Sequence, residues 1–400
     1  MNLGILTSGG DCAGLNAVIK GAAQMAAAKD FRAFIIPNGY AGLYNLVDKT
    51  ELVRLDEGRL DDIVSHLAGS AAGHSRIKIA KIKNPDKYKR IRQGLDKFHI
   101  DALVIAGGDD TGSVVTDLSV NGIACVHVPK TMDLDLFTYS VGGDSAVNQI
   151  AGFVESVKTT GRSHSRITVV EVFGRYAGHT VFRGGVAADA DCVLIPEVPV
   201  DFDIVYQHMK KVYSRRIRES DTGTGTYVIV VTEGLKDSSG QRTVDDTIAA
   251  DPFGHKKLGG SGMLVREELT QRIKADPDMK NLFKEKGLFV EGMNETPDVR
   301  ESAPQYLVRS GVSTALDANF GRDLGAGAVV LLSNGVTDVT VTGVIDGVVY
   351  HAPVAEMIKQ RRVHEQMIAF YEAMGVCFGR EPKSYKPTCQ EVTGRPWCYL

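Results

Sequence analysis

The chain is short of the features that would tie it to a membrane, a metal scaffold or a polyanion. In its 400 residues no apolar run reaches the ~18 needed to span a bilayer. The opening MNLGILTSGG has no basic segment ahead of a long apolar core, so it reads as a first strand and not a signal peptide, and a cytoplasmic location is expected. Six cysteines (12, 125, 192, 377, 389 and 398) include no CxxC pair, which argues against zinc. Cys125 and Cys192 lie in apolar, strand-like runs and are expected to be free buried thiols. The single tryptophan, Trp397, sits in a Lys- and Pro-containing tail from Pro382, expected to be loosely ordered. A net charge of −3 is too balanced for a broad nucleic-acid surface. There is no low-complexity segment and no short repeat. GxGxxG after the first strand and GxxxxGK[ST] anywhere are both absent, which removes the usual signatures of dinucleotide and P-loop sites.

What remains is a globular composition, 43% hydrophobic and 24% charged, with length enough for two domains. Short β-branched runs alternate with longer amphipathic ones. The spacing predicts strands over 2–6, 33–36, 102–105, 124–128, 167–172, 192–195, 227–231 and 328–332. It predicts helices over 15–28, 88–98, 145–159, 180–188, 201–218 and 314–324, and a hairpin over 339–350. The expected fold class is α/β: two Rossmann-like three-layer domains with mostly parallel sheets. Residues 238–300 are the least regular and read as an insertion of loops and one or two helices near a site.

In parallel α/β sheets, ligands gather at the carboxyl ends of strands. Three such ends carry chemistry. TSGGDCAGLN (7–16) follows the first strand, and Gly9, Gly10 and Gly14 permit close backbone approach to an anion. Taken alone, that turn is equally compatible with a merely tight connection. AGGDDTG (106–112) has the same strand–turn–helix form but holds two adjacent carboxylates, Asp109 and Asp110. VPKTMDLD (128–135) offers Lys130, Thr131, Asp133 and Asp135, the two aspartates alternating so that an extended segment would put them on one face. Its bland reading is a solvated acidic loop. Four carboxylates at neighbouring strand ends would repel unless a cation joins them, and an oxygen-rich site of this kind suits Mg²⁺. Glycine-rich anion cradles beside carboxylates point to phosphoryl transfer. The second half supplies Arg166, Arg175, Arg300 and Arg309, each able to hold phosphate through a guanidinium fork, although any one alone could be a surface residue.

With these blocks in hand the chain resembles the 6-phosphofructokinase family over most of its length. GILTSGGDCAGLNAVI, GYAGLY, SRI, IAGGDDTG, PKTMDLD, SRITVVEVFGRYAG, IPEV, VTEG and YLVRSG follow one another in family order. The resemblance implies two domains facing across a cleft. Residues 1–140 with about 310–350 would bind the phosphoryl donor, and 141–309 with about 351–400 the sugar phosphate. It implies Mg²⁺-assisted phosphorylation of fructose 6-phosphate at its 1-hydroxyl, a step of glycolysis and gluconeogenesis, with sites shared between subunits of a dimer or tetramer. Asp133 would accept the hydroxyl proton, with Lys130, Arg76, Thr131 and Asp135 as further catalytic residues. Gly10, Gly108, Asp110, Thr111 and Lys130 would bind the donor, and Asp109 the metal. Thr131, Asp133, Phe173, Gly174, Arg175, Glu233, Tyr306 and Arg309 would meet the sugar phosphate, with Arg166 and Arg300 reaching it from the neighbouring subunit.

The family includes ATP users and pyrophosphate users. ATP-using relatives carry glycine where this chain has Asp110 and again where it has Lys130, and both departures resemble the pyrophosphate-dependent branch. Physically, the Asp110 carboxylate would repel the α-phosphate of ATP, whereas pyrophosphate ends before that point. Other departures are Tyr306 in place of histidine, Phe173 in place of methionine, and GSAAGHSR around Arg76. The alternatives are an ATP-dependent enzyme, the same donor acting on a seven-carbon acceptor such as sedoheptulose 7-phosphate, and a non-catalytic regulatory subunit. Retention of Asp109, Asp133, Asp135 and Arg76 together speaks against the last.

Overall fold

The computed structural model describes residues 1–241, 258 and 260–391. Eleven strands are described: β1 (Asn2–Thr7), β2 (Arg32–Ile35), β3 (Val53–Arg54), β4 (Ala102–Gly107), β5 (Cys125–Pro129), β6 (Ile167–Val172), β7 (Cys192–Leu194), β8 (Tyr227–Thr232), β9 (Val299–Ser302), β10 (Val339–Ile345) and β11 (Val348–Pro353). They form a seven-stranded sheet, ordered β11-β10-β5-β4-β1-β2-β3, and a four-stranded sheet, ordered β7-β8-β6-β9. β2, β1, β4, β5 and β10 run parallel, as do all four strands of the smaller sheet. The register pairs Thr7 with Ala106 and Gly107 with Pro129, so β1, β4 and β5 end side by side. That register is what gathers the three polar turns of the first half at one edge.

Both sheets are covered on both faces, and the alternation of side chains along each strand shows it. In β6, Ile167 and Val169 pack on one face with Tyr213, Val265 and Leu269. Val170 and Val172 turn the other way, into a core shared with Leu3, Ile5 and Val104 of the larger sheet. The opposite face of the larger sheet, with Leu6, Leu103 and Ile105, is filled by Tyr40, Ile91, Leu95 and Val115.

The apolar run 328–332 is not a strand. It is the last part of a helix, Ala315–Ser333, packed along helix Leu15–Ala28. Gly325 lets the two backbones meet, since a Cβ there would lie 2.1 Å from the Val18 carbonyl oxygen. A short run that is buried all round carries no periodicity to separate strand from helix, and its two adjacent valines favour strand by propensity. The hairpin forms around Asp346 and Gly347, and its second strand continues to Pro353, past the expected end at 350.

The described part of the region 238–300 holds two helices, within the one or two expected. Residues 242–257 and 259 lie outside the described residues, but helices Ser261–Ala275 and Pro277–Glu285 follow and pack into the core of the smaller sheet. Cys12, Cys125, Cys192 and Cys377 are buried free thiols, and Cys389 is exposed. Residues 382–391 have no regular structure, and Cys398 and Trp397 lie outside the described residues. Among the described residues no helix is long and apolar enough to cross a membrane.

Candidate active site

The turns after β1, β4 and β5 close on a cleft with about 160 Å³ of open space. Gly10, Arg76, Gly108, Asp109, Asp110, Thr111, Lys130, Thr131, Asp133 and Arg309 all line it. After β4, Gly108 caps helix Asp109–Val120, whose first N–H groups have no partner within the helix and face the turn. The Asp109 carboxylate accepts the Asp110 N–H at 2.8 Å. Thr111 is buried, its carbonyl accepting the Tyr40 hydroxyl at 2.8 Å.

Lys130 is the buried cation of the site. It is 4% exposed, and its ammonium donates to the Gly10 carbonyl. Burial lowers its pKa and Arg309 and Arg76 push the same way, while Cys12 and Asp11 oppose them. Three cations thus converge beside the first glycine turn, because a Cβ at Gly10 would lie 2.3 Å from Arg309 Nη1 and 3.5 Å from Arg76 Nη2. Asp11 and Asp133 offset part of this charge, and the remainder suits an anion.

The loop after β5 is not the extended segment that alternation suggested. Leu134 takes a left-handed conformation, φ +54°, which is uncommon for a bulky residue. Thr131 organises the turn, its hydroxyl accepting from the Asp133 N–H at 3.1 Å and donating to the Asp135 carboxylate at 3.3 Å. Burial raises the pKa of Asp133, and Asp109 adds to the rise while Arg309 opposes it. The Asp133 Oδ1 is buried without a hydrogen-bond partner among the described residues. Asp135 is pushed up to about 7 by burial, Asp133 and Asp109. Glu233, after β8, is likewise pushed up to about 7, by burial and then Asp133, against Arg175.

A partner of Asp110 was not legible beforehand. Lys78 donates to its carboxylate at 2.9 Å, so the charge at the cleft rim is half of an ion pair. No motif spacing in RIKIAK marks Lys78 for this contact. Asp11 and Met132 also line the cleft, and neither carries a motif signal, although Asp11 stands in the glycine turn itself.

On the other side, Arg309 lies 4.9 Å over the Phe173 ring, and Phe173 meets Tyr306 at 5.8 Å between ring centres. Tyr306 is 69% exposed. Gly174 follows at φ +152°, its carbonyl accepting the Gly234 N–H at 3.2 Å. The carboxyl ends of β6 and β8, in the smaller sheet, therefore face the cleft. Arg166 and Arg300 do not join them. They flank the opposite end of the smaller sheet, where both pair with Asp298, at 3.5 and 2.6 Å. With β6 six residues long, they stand about 20 Å from Phe173 along the strand direction.

The donor set is compatible with Mg²⁺. Among the described residues no three His, Cys, Asp or Glu side chains cluster closely enough to hold a metal ion alone. Mg²⁺ typically takes one or two carboxylates and completes its shell with water and substrate phosphate. Asp109 and the partnerless Asp133 oxygen, facing each other in charge, provide that kind of incomplete set.

A family model described as phosphofructokinase matches residues 2–332. A relative named pyrophosphate–fructose 6-phosphate 1-phosphotransferase, from Dictyoglomus thermophilum, is 33% identical over 275 residues, covering 68% of this chain and 75% of that one. A relative named ATP-dependent 6-phosphofructokinase 3, from Streptomyces coelicolor, is 32% identical over 276 residues, covering 68% of this chain and 76% of that one. Proteins named for different donors are therefore about equally near. The crystal structure of a pyrophosphate-dependent phosphofructokinase from Nitrosospira multiformis aligns with a TM-score of 0.72 over 98% of this chain and 94% of that one, at 20% identity, a likeness of fold alone.

Proposed function

The chain belongs to the phosphofructokinase family, and from that premise we propose that it moves a phosphoryl group reversibly between pyrophosphate and the 1-hydroxyl of fructose 6-phosphate. The observation that carries the donor assignment is that Asp110 and Lys130 line one cleft; the family resemblance implies glycine at both positions in ATP users. On that resemblance, the Asp110 carboxylate would charge the place where a nucleotide's α-phosphate would continue. Its pair with Lys78 weakens bare repulsion but also holds the carboxylate in that position. Lys130, buried and already desolvated, attracts phosphate oxygen more strongly than an exposed lysine would.

In the forward direction the sugar 1-oxygen forms a bond to phosphorus as the bridging P–O bond of pyrophosphate breaks. Inorganic phosphate leaves, and the hydroxyl proton passes to Asp133. The raised pKa of Asp133 suits a group that must take a proton and give it back in the reverse reaction. Gly10, Gly108 and the helix start at Asp109 offer N–H groups to the donor, while Lys130 and Arg76 balance charge in the transition state. Mg²⁺ would be held through Asp109 and would supply further neutralisation of the phosphates. Phe173, Gly174, Arg175, Glu233 and Tyr306 would line the sugar, with Arg309 at its phosphate. Arg166 and Arg300 lie too far from this cleft to serve it, which supports a dimer or tetramer in which they complete a neighbour's site.

The test is direct. The protein is given fructose 6-phosphate and Mg²⁺ with pyrophosphate or ATP in separate reactions, and fructose 1,6-bisphosphate is followed. Product with pyrophosphate and none with ATP supports the reading; product with ATP alone overturns the donor and leaves the acceptor standing. Silence with both, followed by turnover of sedoheptulose 7-phosphate with pyrophosphate, would overturn the acceptor.

A further inference from the structure

Behind the loop that carries Asp133 and Asp135 lies a second cavity, of about 540 Å³, which shares no lining residue with the cleft. Its walls come from helix Gly143–Ser163, helix His179–Ala187 and the segment 361–371. Three guanidiniums line it, from Arg183, Arg361 and Arg362, against one carboxylate, Asp144. Neither Arg183 nor Arg362 has an ion-pair partner among the described residues. Like charges gathered at one cavity repel unless an anion joins them.

The rest of the wall is mostly apolar and includes Phe182 and Tyr371, packed edge to face at 5.0 Å, with His364 at its edge.

We propose that this cavity binds a small phosphate ester, its phosphate held among Arg183, Arg361 and Arg362 and its skeleton set against the Phe182–Tyr371 wall. Guanidinium forks match phosphate oxygens. The site lies against the back of the catalytic loop. The Arg361 N–H donates to the Asp135 carbonyl at 2.6 Å, and its Nη2 donates to the Leu134 carbonyl at 3.2 Å.

Calorimetric titration of the full chain with glycerol 3-phosphate tests the assignment. Arg183 and Ala187 are both exposed at the cavity, so Arg183→Gln and Ala187→Glu disturb the ligand and not the core. Each variant is expected to lose one binding equivalent per chain, or to bind it about tenfold or more weakly, the usual consequence of losing a hydrogen bond to a charged group or gaining a like charge. Turnover without glycerol 3-phosphate should match wild type. Arg309→Gln, which alters the cleft, should retain the equivalent. Identical titrations for wild type and both cavity variants would overturn the proposal, as would loss of all binding in Arg309→Gln. Inorganic phosphate as a competitor separates the sources of affinity: full displacement at similar concentration would overturn the claim that the skeleton contributes.

Discussion

Replacing Asp135 with asparagine should stabilise the protein at high pH, with the gain fading as pH falls. The physical reason lies in the crowding of carboxylates at the end of β5. Burial, Asp133 and Asp109 push the Asp135 carboxyl from 3.8 to about 7. The unfolded chain therefore releases this proton near pH 4, while the folded protein holds it until about pH 7. Across that window the unfolded state binds fewer protons, so stability falls as pH rises. At about 1.4 kcal/mol per pH unit the loss by pH 8 amounts to at most about 4 kcal/mol, less what water at the cleft mouth screens. Asparagine keeps the shape and an oxygen for the Thr131 hydroxyl, now 3.3 Å away, but carries no charge. Urea unfolding of metal-free protein should show the variant more stable by about 2–4 kcal/mol at pH 8, with the difference shrinking below pH 7 and vanishing near pH 4. A variant that is less stable at pH 8, or a gain independent of pH, would refute the idea that Asp135 is held against repulsion.

Three further outcomes follow from the same geometry. Asp133→Ala should abolish turnover while sugar phosphate binding, measured by calorimetry, stays within a few-fold of wild type; an active variant would remove Asp133 as the proton acceptor. Because Glu233 sits near 7 and accepts sugar hydroxyls best as a carboxylate, KM for the sugar phosphate should fall as pH rises from 6 to 8, and Glu233→Gln should flatten that dependence. An unchanged profile in the variant would place the titration elsewhere. Gly10→Ala puts a methyl where Arg309 Nη1 stands, so Arg309 must swing away and kcat/KM should drop about tenfold or more, as for loss of one charged hydrogen bond. Wild-type kinetics would show that Arg309 acts from another position.

Much of this architecture is legible in the amino-acid order because a parallel sheet aligns strand ends. Once β1, β4 and β5 are recognised, the glycine turn at 9–10, the aspartates at 109–110 and the loop at 130–135 must fall along one edge. Helix Leu15–Ala28 is bounded correctly by its glycine start and its alanine-rich amphipathic run. The apolar segment 328–332 is not legible, since burial on every side erases the period that tells helix from strand. Contacts set by tertiary structure are equally silent. Nothing local links Lys78 to Asp110, 32 residues away, and nothing predicts that Leu134 turns left-handed and breaks the alternation of Asp133 and Asp135. Arg166 and Arg300 look like phosphate ligands in sequence, yet they stand at the far end of the smaller sheet.

The central claim is that Asp110 and Lys130 choose the donor. The measurement that addresses it most directly is the ratio of kcat/KM for pyrophosphate to that for ATP, in wild type and in the Asp110→Gly, Lys130→Gly double variant. A bare like-charge contact near 4 Å is worth up to ~4 kcal/mol at an effective dielectric of about 20, and the Lys78 ion pair offsets part of it. The ratio should therefore move toward ATP by about tenfold to a hundredfold, the equivalent of ~1.4–2.8 kcal/mol. A double variant that loses pyrophosphate activity without gaining any use of ATP, or a wild type that already prefers ATP, would contradict the account.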